Sequence, residues 1–159
     1  MTRAFIAVGS NLGDRQRYLD EAKKSLGKTL GVKILRTSSI HETHPVGGPV
    51  QGKYLNAVWE IQTDLNPRAL LERLLEIEKE LGRERTQKNA PRTIDLDILF
   101  YDHRVVEEPG LTIPHPRLHE RAFVLKPLGE IAPQFRHPRL KKTVHELLEN
   151  ILHETHSRS

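Results

Sequence analysis

Residues 55–82 read LNAVWEIQTDLNPRALLERLLEIEKELG, and the change of period inside this stretch decides the fold. From Leu55 to Asp64, Ala57, Trp59 and Ile61 fall on alternate positions, the two-residue period of a strand with one buried face. Asn66 then offers a side-chain cap, and Pro67 supplies a fixed φ at the first helical position. Beyond it Leu70, Leu71, Leu74, Leu75, Ile77, Glu78 and Leu81 continue a helix to about residue 81, where Gly82 stops it. A strand followed at once by a capped helix is half of a β-α-β unit.

Working outward supplies the other half and its duplicate. TIDLDILFYD (93–102) returns to strand. Upstream, RAFIAV (3–8) is a short strand ending at Gly9, and Leu19, Ala22, Leu26 and Leu30 keep helical spacing over 14–30. VKILRTSSIHET (32–43) reads as one strand, and the two prolines and three glycines of 44–54 as a loop. The order β-α-β-β-α-β is that of an α+β, ferredoxin-like sandwich with an antiparallel sheet. The helices are expected to cover one face and leave the other free for a ligand. VVEEPGLTIPHP (105–116) reads as an extended excursion, FVLKPLGEIAP (123–133) as a short helical piece, and a C-terminal extension begins at a threonine cap, Thr143.

Size and composition exclude several classes. A chain of 159 residues with 36% apolar and 29% charged residues is globular and large enough for a core without staples. It contains no cysteine, so neither disulfides nor thiolate chemistry are available. The apolar run at the N-terminus is too short for a signal peptide, and nothing approaches the ~20 apolar residues of a membrane span. These features predict a cytoplasmic protein with no membrane partner, and a monomer.

The acids of the strand at 93–102 carry the chemistry. Asp95 and Asp97 share one face of that strand, while Ile94, Leu96 and Ile98 take the other. Two adjacent carboxylates repel unless cations neutralise them, and oxygen-only ligands of this kind suit Mg²⁺ completed by water and phosphate. An exposed acidic face is the competing reading of a bare D-x-D. Upstream, GRERTQKNAPR (82–92) brings Arg83, Arg85, Lys88 and Arg92 close in sequence, and guanidinium forks match phosphate oxygens. Alone that loop reads equally well as a solubilising surface; beside a metal-binding strand it reads as a polyphosphate clamp. His115 stands between two prolines with Arg121 six residues on, which suits either a fixed ligand contact or a structural turn. Asn56 occupies a strand position that disfavours asparagine; with Tyr54 and Phe123 it suits a flat heterocycle, or simply a strand edge and a core.

Other signals fail. Gly27-Lys28-Thr29 imitates the end of a P-loop, but Ala22 stands where its first glycine belongs. The nine histidines do not form a zinc motif: His145-Glu146 lacks a second histidine at the required spacing. Gly9-Ser10-Asn11 is too short for a dinucleotide fingerprint. The net charge of +4 admits nucleic acid, yet one Trp, three Tyr and four Phe give no stacking platform. An RNA-binding ferredoxin-like module and a metal-dependent nucleotidyl transferase therefore remain as the alternatives.

GSNLGD, ETHPVGG, YLNAV, E-x3-GR-x-R, PRTIDLDIL and IPHPRLHERAFVL-x-PL-x-EIAP occur here in one order. Together they resemble the 6-hydroxymethyl-7,8-dihydropterin pyrophosphokinases of folate biosynthesis. The likeness runs from about Arg3 to the C-terminal helix, so residues 1–159 read as a single pterin pyrophosphokinase domain. The resemblance implies ATP as co-substrate with two Mg²⁺ ions, and transfer of its β,γ-pyrophosphoryl group to the pterin's hydroxymethyl oxygen, releasing AMP. It implies Asp95 and Asp97 as metal ligands, with Asp97 also helping to deprotonate the acceptor. Arg83 and Arg92 correspond to arginines that neutralise the transferred phosphates. Glu78, Arg85, Ile98, Thr112, His115 and Arg121 correspond to ATP-site positions. The pterin is expected between Tyr54 and Phe123, read by Asn56 and by the backbone of Thr43, Pro45 and Val46. Where some members carry a longer loop with a tryptophan, this chain has TQKNA (86–90), and Leu75 replaces a glutamine near the adenine. The loops at 44–53 and 82–91 are expected to close over bound substrates.

Overall fold

The computed structural model describes residues 1–11, 14–43, 54–82 and 94–157, with side chains to His153. Its elements are β1 (Thr2–Ser10), α1 (Arg15–Gly27), β2 (Val32–Thr37), β3 (His41–Thr43), β4 (Tyr54–Thr63), α2 (Pro67–Glu80), β5 (Asp95–Tyr101), β6 (Val106–Glu108), β7 (Leu111–Ile113), a 3₁₀ turn (Leu118–Glu120), α3 (Ala122–Ile131) and α4 (Val144–Ser157). The main sheet runs β2-β4-β1-β5, with β3 added alongside β4, and every pairing is antiparallel. Taking β4 and β5 as the third and fourth strands of the core motif, this is the ferredoxin-like order.

The caps read from the sequence are present. Asn66 Oδ1 accepts from the Ala69 N–H at 2.8 Å, Pro67 opens α2, and Gly82 follows at φ +93°. Asp14 caps α1 through the Arg17 N–H at 3.2 Å. Thr143 and Glu146 cap α4 reciprocally, each side-chain oxygen accepting the other's N–H at 3.1 Å. The Thr143 N–H, and after it the Thr143 hydroxyl, hold the Glu146 carboxyl below its usual range.

Three expectations need correction. Leu30 does not extend the apolar stripe of α1: the helix ends at Gly27 and Leu30 is 93% exposed. Residues 32–43 are not one strand, because Ser38 interrupts them. Its Oγ accepts the Val58 N–H at 2.9 Å, and the chain resumes pairing only at His41. Nor do the helices leave one sheet face free. One face carries Ile6, Val8, Trp59, Ile61, Leu96 and Ile98 against Leu19, Leu26, Leu70, Leu74 and Ile77 of α1 and α2. The other carries a second core, in which Phe5, Val58 and Phe100 meet Val124, Leu125 and Leu128 of α3 and Val144 and Leu147 of α4. That face is covered at one end and left accessible around Ala7, Gly9, Asp95 and Asp97.

A bulge separates the two ends of β5. Phe5 pairs with Phe100 but Ile6 pairs with Ile98, so Leu99 is an extra residue that β1 does not match. It joins the second core, beside the aromatic cluster of Phe5, Phe100 and Phe135, whose ring centroids lie 4.7–6.2 Å apart.

His137 closes that cluster. It is 4% exposed, meets Phe100 edge to face, and its Nδ1 accepts the N–H groups of Arg139 and Leu140, both at 3.1 Å. Burial, then the charges of His119 and Arg139, lower its pKa to about 4. Between pH 4 and 6.5 the unfolded chain therefore binds a proton there that the folded chain refuses. The expected result is stability that is complete above pH 6.5 and falls toward pH 4, by at most about 3 kcal/mol from this group. His137→Asn keeps an acceptor but does not titrate. Urea titrations at pH 4.5 and 7 will show a smaller pH dependence in the variant, and an equal one would remove His137 as the cause.

Candidate active site

The accessible end of the second face is built from strand register. Asn56 of β4 pairs with Gly9 of β1, and Gly9 pairs with Asp95 of β5. One residue pair further in, Val58, Ala7 and Asp97 form a parallel row. Adjacent strands lie about 4.8 Å apart, so Asn56 and Asp95 face the same side across roughly 10 Å of floor. That floor is glycine and alanine, with no side chain large enough to fill it. On the far side of β4, β3 sets Thr43 opposite Tyr54 and His41 opposite Asn56.

The polar end of the row is pre-arranged. Asn56 is 8% exposed and its Nδ2 donates to Thr43 Oγ1 at 2.7 Å, which fixes the amide's orientation. A Cβ on Gly9 would stand 3.3 Å from Asn56 Oδ1, so glycine is what lets the amide lie over β1. This role of Gly9 was hidden in the motif GSNLGD, where only its presence, and not its partner across the sheet, is legible. β3 is itself tied to α3: Ser39 and His41 both meet the Glu130 carboxylate, with Ser39 N–H at 2.9 Å.

The acid end has the predicted facing. Asp97 is exposed and Asp95 half-buried on the accessible side, while Ile94, Leu96 and Ile98 pack in the first core. Ile98 therefore turns its side chain away from the acids. The charged neighbours come from the segment after β7. His115 N–H donates to the Leu99 carbonyl at 3.0 Å, anchoring the imidazole beside β5, and its Nδ1 accepts the Arg117 N–H at 3.2 Å. Arg121 starts α3, with its guanidinium 5.7 Å from the ring of Phe123, which is 40% exposed. Thr112 is exposed on β7, and Leu75 is exposed on α2. Arg117, not singled out by the sequence reading, belongs to this group because its charge acts on His115.

Glu78 is 3% exposed on α2, on the opposite side of the sheet from the acids, and its Oε2 accepts the N–H of Leu96 at 2.8 Å. Arg83, Arg85, Lys88, Asn89, Arg92, Pro45 and Val46, and the loops at 44–53 and 83–91, lie outside the described residues.

A Mg²⁺ ion requires oxygen donors at near-octahedral geometry. Among the described residues no group of three or more His, Asp or Glu side chains could enclose a metal. Two carboxylates on an accessible face instead fit a hard cation that keeps water and takes its remaining oxygens from phosphate. Among the described residues, too, no helix is long and apolar enough to cross a membrane.

The comparisons agree with this frame. Residues 5–133 match the family model described as 7,8-dihydro-6-hydroxymethylpterin-pyrophosphokinase, HPPK. The chain is 50% identical over 131 residues to a 2-amino-4-hydroxy-6-hydroxymethyldihydropteridine pyrophosphokinase of Bacillus subtilis, covering 82% of this chain and 78% of that one. A protein of the same name from Methylorubrum extorquens is 44% identical over 133 residues, 84% of each chain. A crystal structure of Plasmodium falciparum HPPK-DHPS superposes with a TM-score of 0.80 at 15% identity, over 99% of this chain and 46% of that one. The chain thus spans less than half of that larger protein, and the likeness there is one of fold. Fold and sequence together define a pyrophosphokinase, a transferase on a ferredoxin-like α+β frame. Specifically, the chain belongs to the 7,8-dihydro-6-hydroxymethylpterin-pyrophosphokinase family.

The electrostatics of His115 give a direct check on the geometry. Burial lowers its pKa, the charge of Asp97 opposes that, and Arg121 and Arg117 lower it further, so the imidazole is neutral at pH 7. Asp97→Asn removes the one opposing charge. In the ligand-free protein, the NMR titration of His115 is expected below pH 6.5 and lower still in the variant. A midpoint that rises or stays put would show that Asp97 and His115 do not face one another.

Proposed function

We propose that the chain transfers the β,γ-pyrophosphoryl group of ATP to the hydroxymethyl oxygen of 6-hydroxymethyl-7,8-dihydropterin. The observation that carries this reading is the row Asn56–Gly9–Asp95, which sets a fixed amide and a carboxylate about one bicyclic ring and its arm apart. A pterin seated with its polar edge on Asn56, beside Thr43, Tyr54 and Phe123 and the backbone of Pro45 and Val46, points its hydroxymethyl arm toward Asp95 and Asp97. Family membership supplies the substrate names.

In this reading Asp95 and Asp97 would hold two Mg²⁺ ions, which would supply charge neutralisation for the polyphosphate and polarise the transferred phosphorus. The acceptor oxygen attacks the β-phosphorus, the bond from that phosphorus to the α–β bridging oxygen breaks, and AMP leaves with that oxygen. Asp97 accepts the hydroxyl proton, directly or through water. Arg83 and Arg92 balance the charge of the group in flight, and Arg85, Thr112, His115 and Arg121 hold the triphosphate and nucleoside, with Ile98 contributing backbone. A neutral His115 serves as a hydrogen-bonding group and adds no charge. Glu78 sits beneath this site, with one oxygen engaged by the strand that bears the acids.

The RNA-binding alternative draws no support from the sheet. Phe5 and Phe100 lie under α3 and α4, and Trp59 and Tyr101 are buried in the first core, which among the described strand residues leaves Tyr54 as a single partly exposed ring and no row of stacking aromatics.

Incubation with ATP, Mg²⁺ and the pterin, followed by nucleotide analysis, is expected to yield AMP and the pterin pyrophosphate; ADP as product would reject pyrophosphoryl transfer. Chelation of the metal should stop turnover. Asp97→Ala should lower kcat at least about a hundredfold with the circular dichroism spectrum unchanged, and a variant retaining full activity would refute the metal assignment.

A further inference from the structure

The geometry points to Glu78 as the positioning residue of the acid pair: delivered by α2 to the open edge of β5, it grips the backbone between Asp95 and Asp97. This inference rests on the proposed reading of those acids as the metal site.

Among the described residues β5 is the last strand of the sheet, so no described strand pairs with the backbone groups of its outer edge. Leu96 is the residue between the two aspartates, and its N–H goes to Glu78 Oε2 at 2.8 Å. A carboxylate acceptor makes this bond stronger than an ordinary strand contact, and 3% exposure shields it from water. Glu78 in turn is rigidly held. Leu70, Leu74 and Ile77 of the same helix are all fully buried in the first core. Leu96 is therefore fixed three ways, by its pairing with Val8, by its side chain in that core, and by Glu78. With Leu96 fixed, the flanking Asp95 and Asp97 have little backbone freedom, and their carboxylates stay where two metal-bound phosphates need them. Glu78 acts here through the backbone and from the far side of the sheet. It needs reach and an acceptor oxygen, and its negative charge is secondary.

Two substitutions separate those properties. E78D keeps the charge but withdraws the acceptor by one methylene; E78Q keeps the reach and an acceptor oxygen but removes the charge. The full chain is titrated with Mn²⁺ in the presence of a non-hydrolysable ATP analogue, followed by electron paramagnetic resonance, and amide exchange at Leu96 is read by NMR. E78D is expected to weaken Mn²⁺ binding roughly tenfold to a hundredfold and to speed Leu96 exchange. E78Q should keep Leu96 protected and bind Mn²⁺ far better than E78D.

The inference fails if E78D binds Mn²⁺ as the wild type does, or if E78Q is the more impaired, since charge and not reach would then matter. Should E78D not fold, E78Q decides alone: loss of Leu96 protection with unchanged Mn²⁺ binding overturns the link between them. Wild-type protein that binds no Mn²⁺ under these conditions would overturn the metal-site reading as well, whereas wild-type binding retained by E78D overturns only the role of Glu78.

Discussion

Strand β1 is the constraint on which the rest depends. It pairs with β4 along its whole length and with β5 over most of it, so the strands that carry Asn56 and the two aspartates both take their register from β1. Along its second face the side chains shrink from Phe5 to Ala7 to Gly9. The large end meets α3 and α4 and closes the aromatic core. The small end leaves a floor on which a planar molecule can lie, with the Asn56 amide settled over the glycine. One strand thus decides where the face is packed and where it is open.

The sheet also shows three ways of keeping a carboxylate near an apolar interior. Glu60 is buried between Arg3 and Arg36, a conventional charge balance supplied within the fold. Glu78 is buried with a backbone N–H on one oxygen. Asp95 and Asp97 sit at the accessible end of the face, beside the half-buried, neutral His115. Two like charges at that spacing are costly unless a cation joins them.

Much of this was legible in the residues. Period-two alternation placed Asp95 and Asp97 on one face and Leu96 on the other, and Asn66-Pro67 with Gly82 fixed α2 almost to the residue. Local signals failed where the deciding contact is distant in sequence. Ser38 breaks a strand because its hydroxyl finds Val58, twenty residues away. Leu30 keeps helical spacing but lies beyond the end of its helix. The short apolar run of α3 and the histidine at 137 gave no hint that they would close a second core, since that core is assembled from elements at opposite ends of the chain. For the site, residue types and motif order were readable, whereas the row linking Asn56 to Asp95 exists only once β1 lies between them. The resemblance marked Glu78 as an ATP-site position, whereas its bond to the Leu96 N–H shows only once the edge of β5 is in view.

The unmatched Leu99 gives β5 two parities. On one side of it the alternation sends aspartates to the accessible face and isoleucines inward; on the other, Phe100 and Tyr101 are buried on opposite faces of the sheet. Were Leu99 paired as an ordinary strand residue, keeping the aromatic end in place would turn both acids into the apolar layer beneath α1 and α2. By leaving one residue without a partner, the bulge reconciles the two ends of the strand. A single-codon deletion of Leu99 would give a regular strand with Asp95 and Asp97 still on the accessible face and one leucine fewer in the second core, whereas one added residue paired in the ordinary way would turn both acids inward.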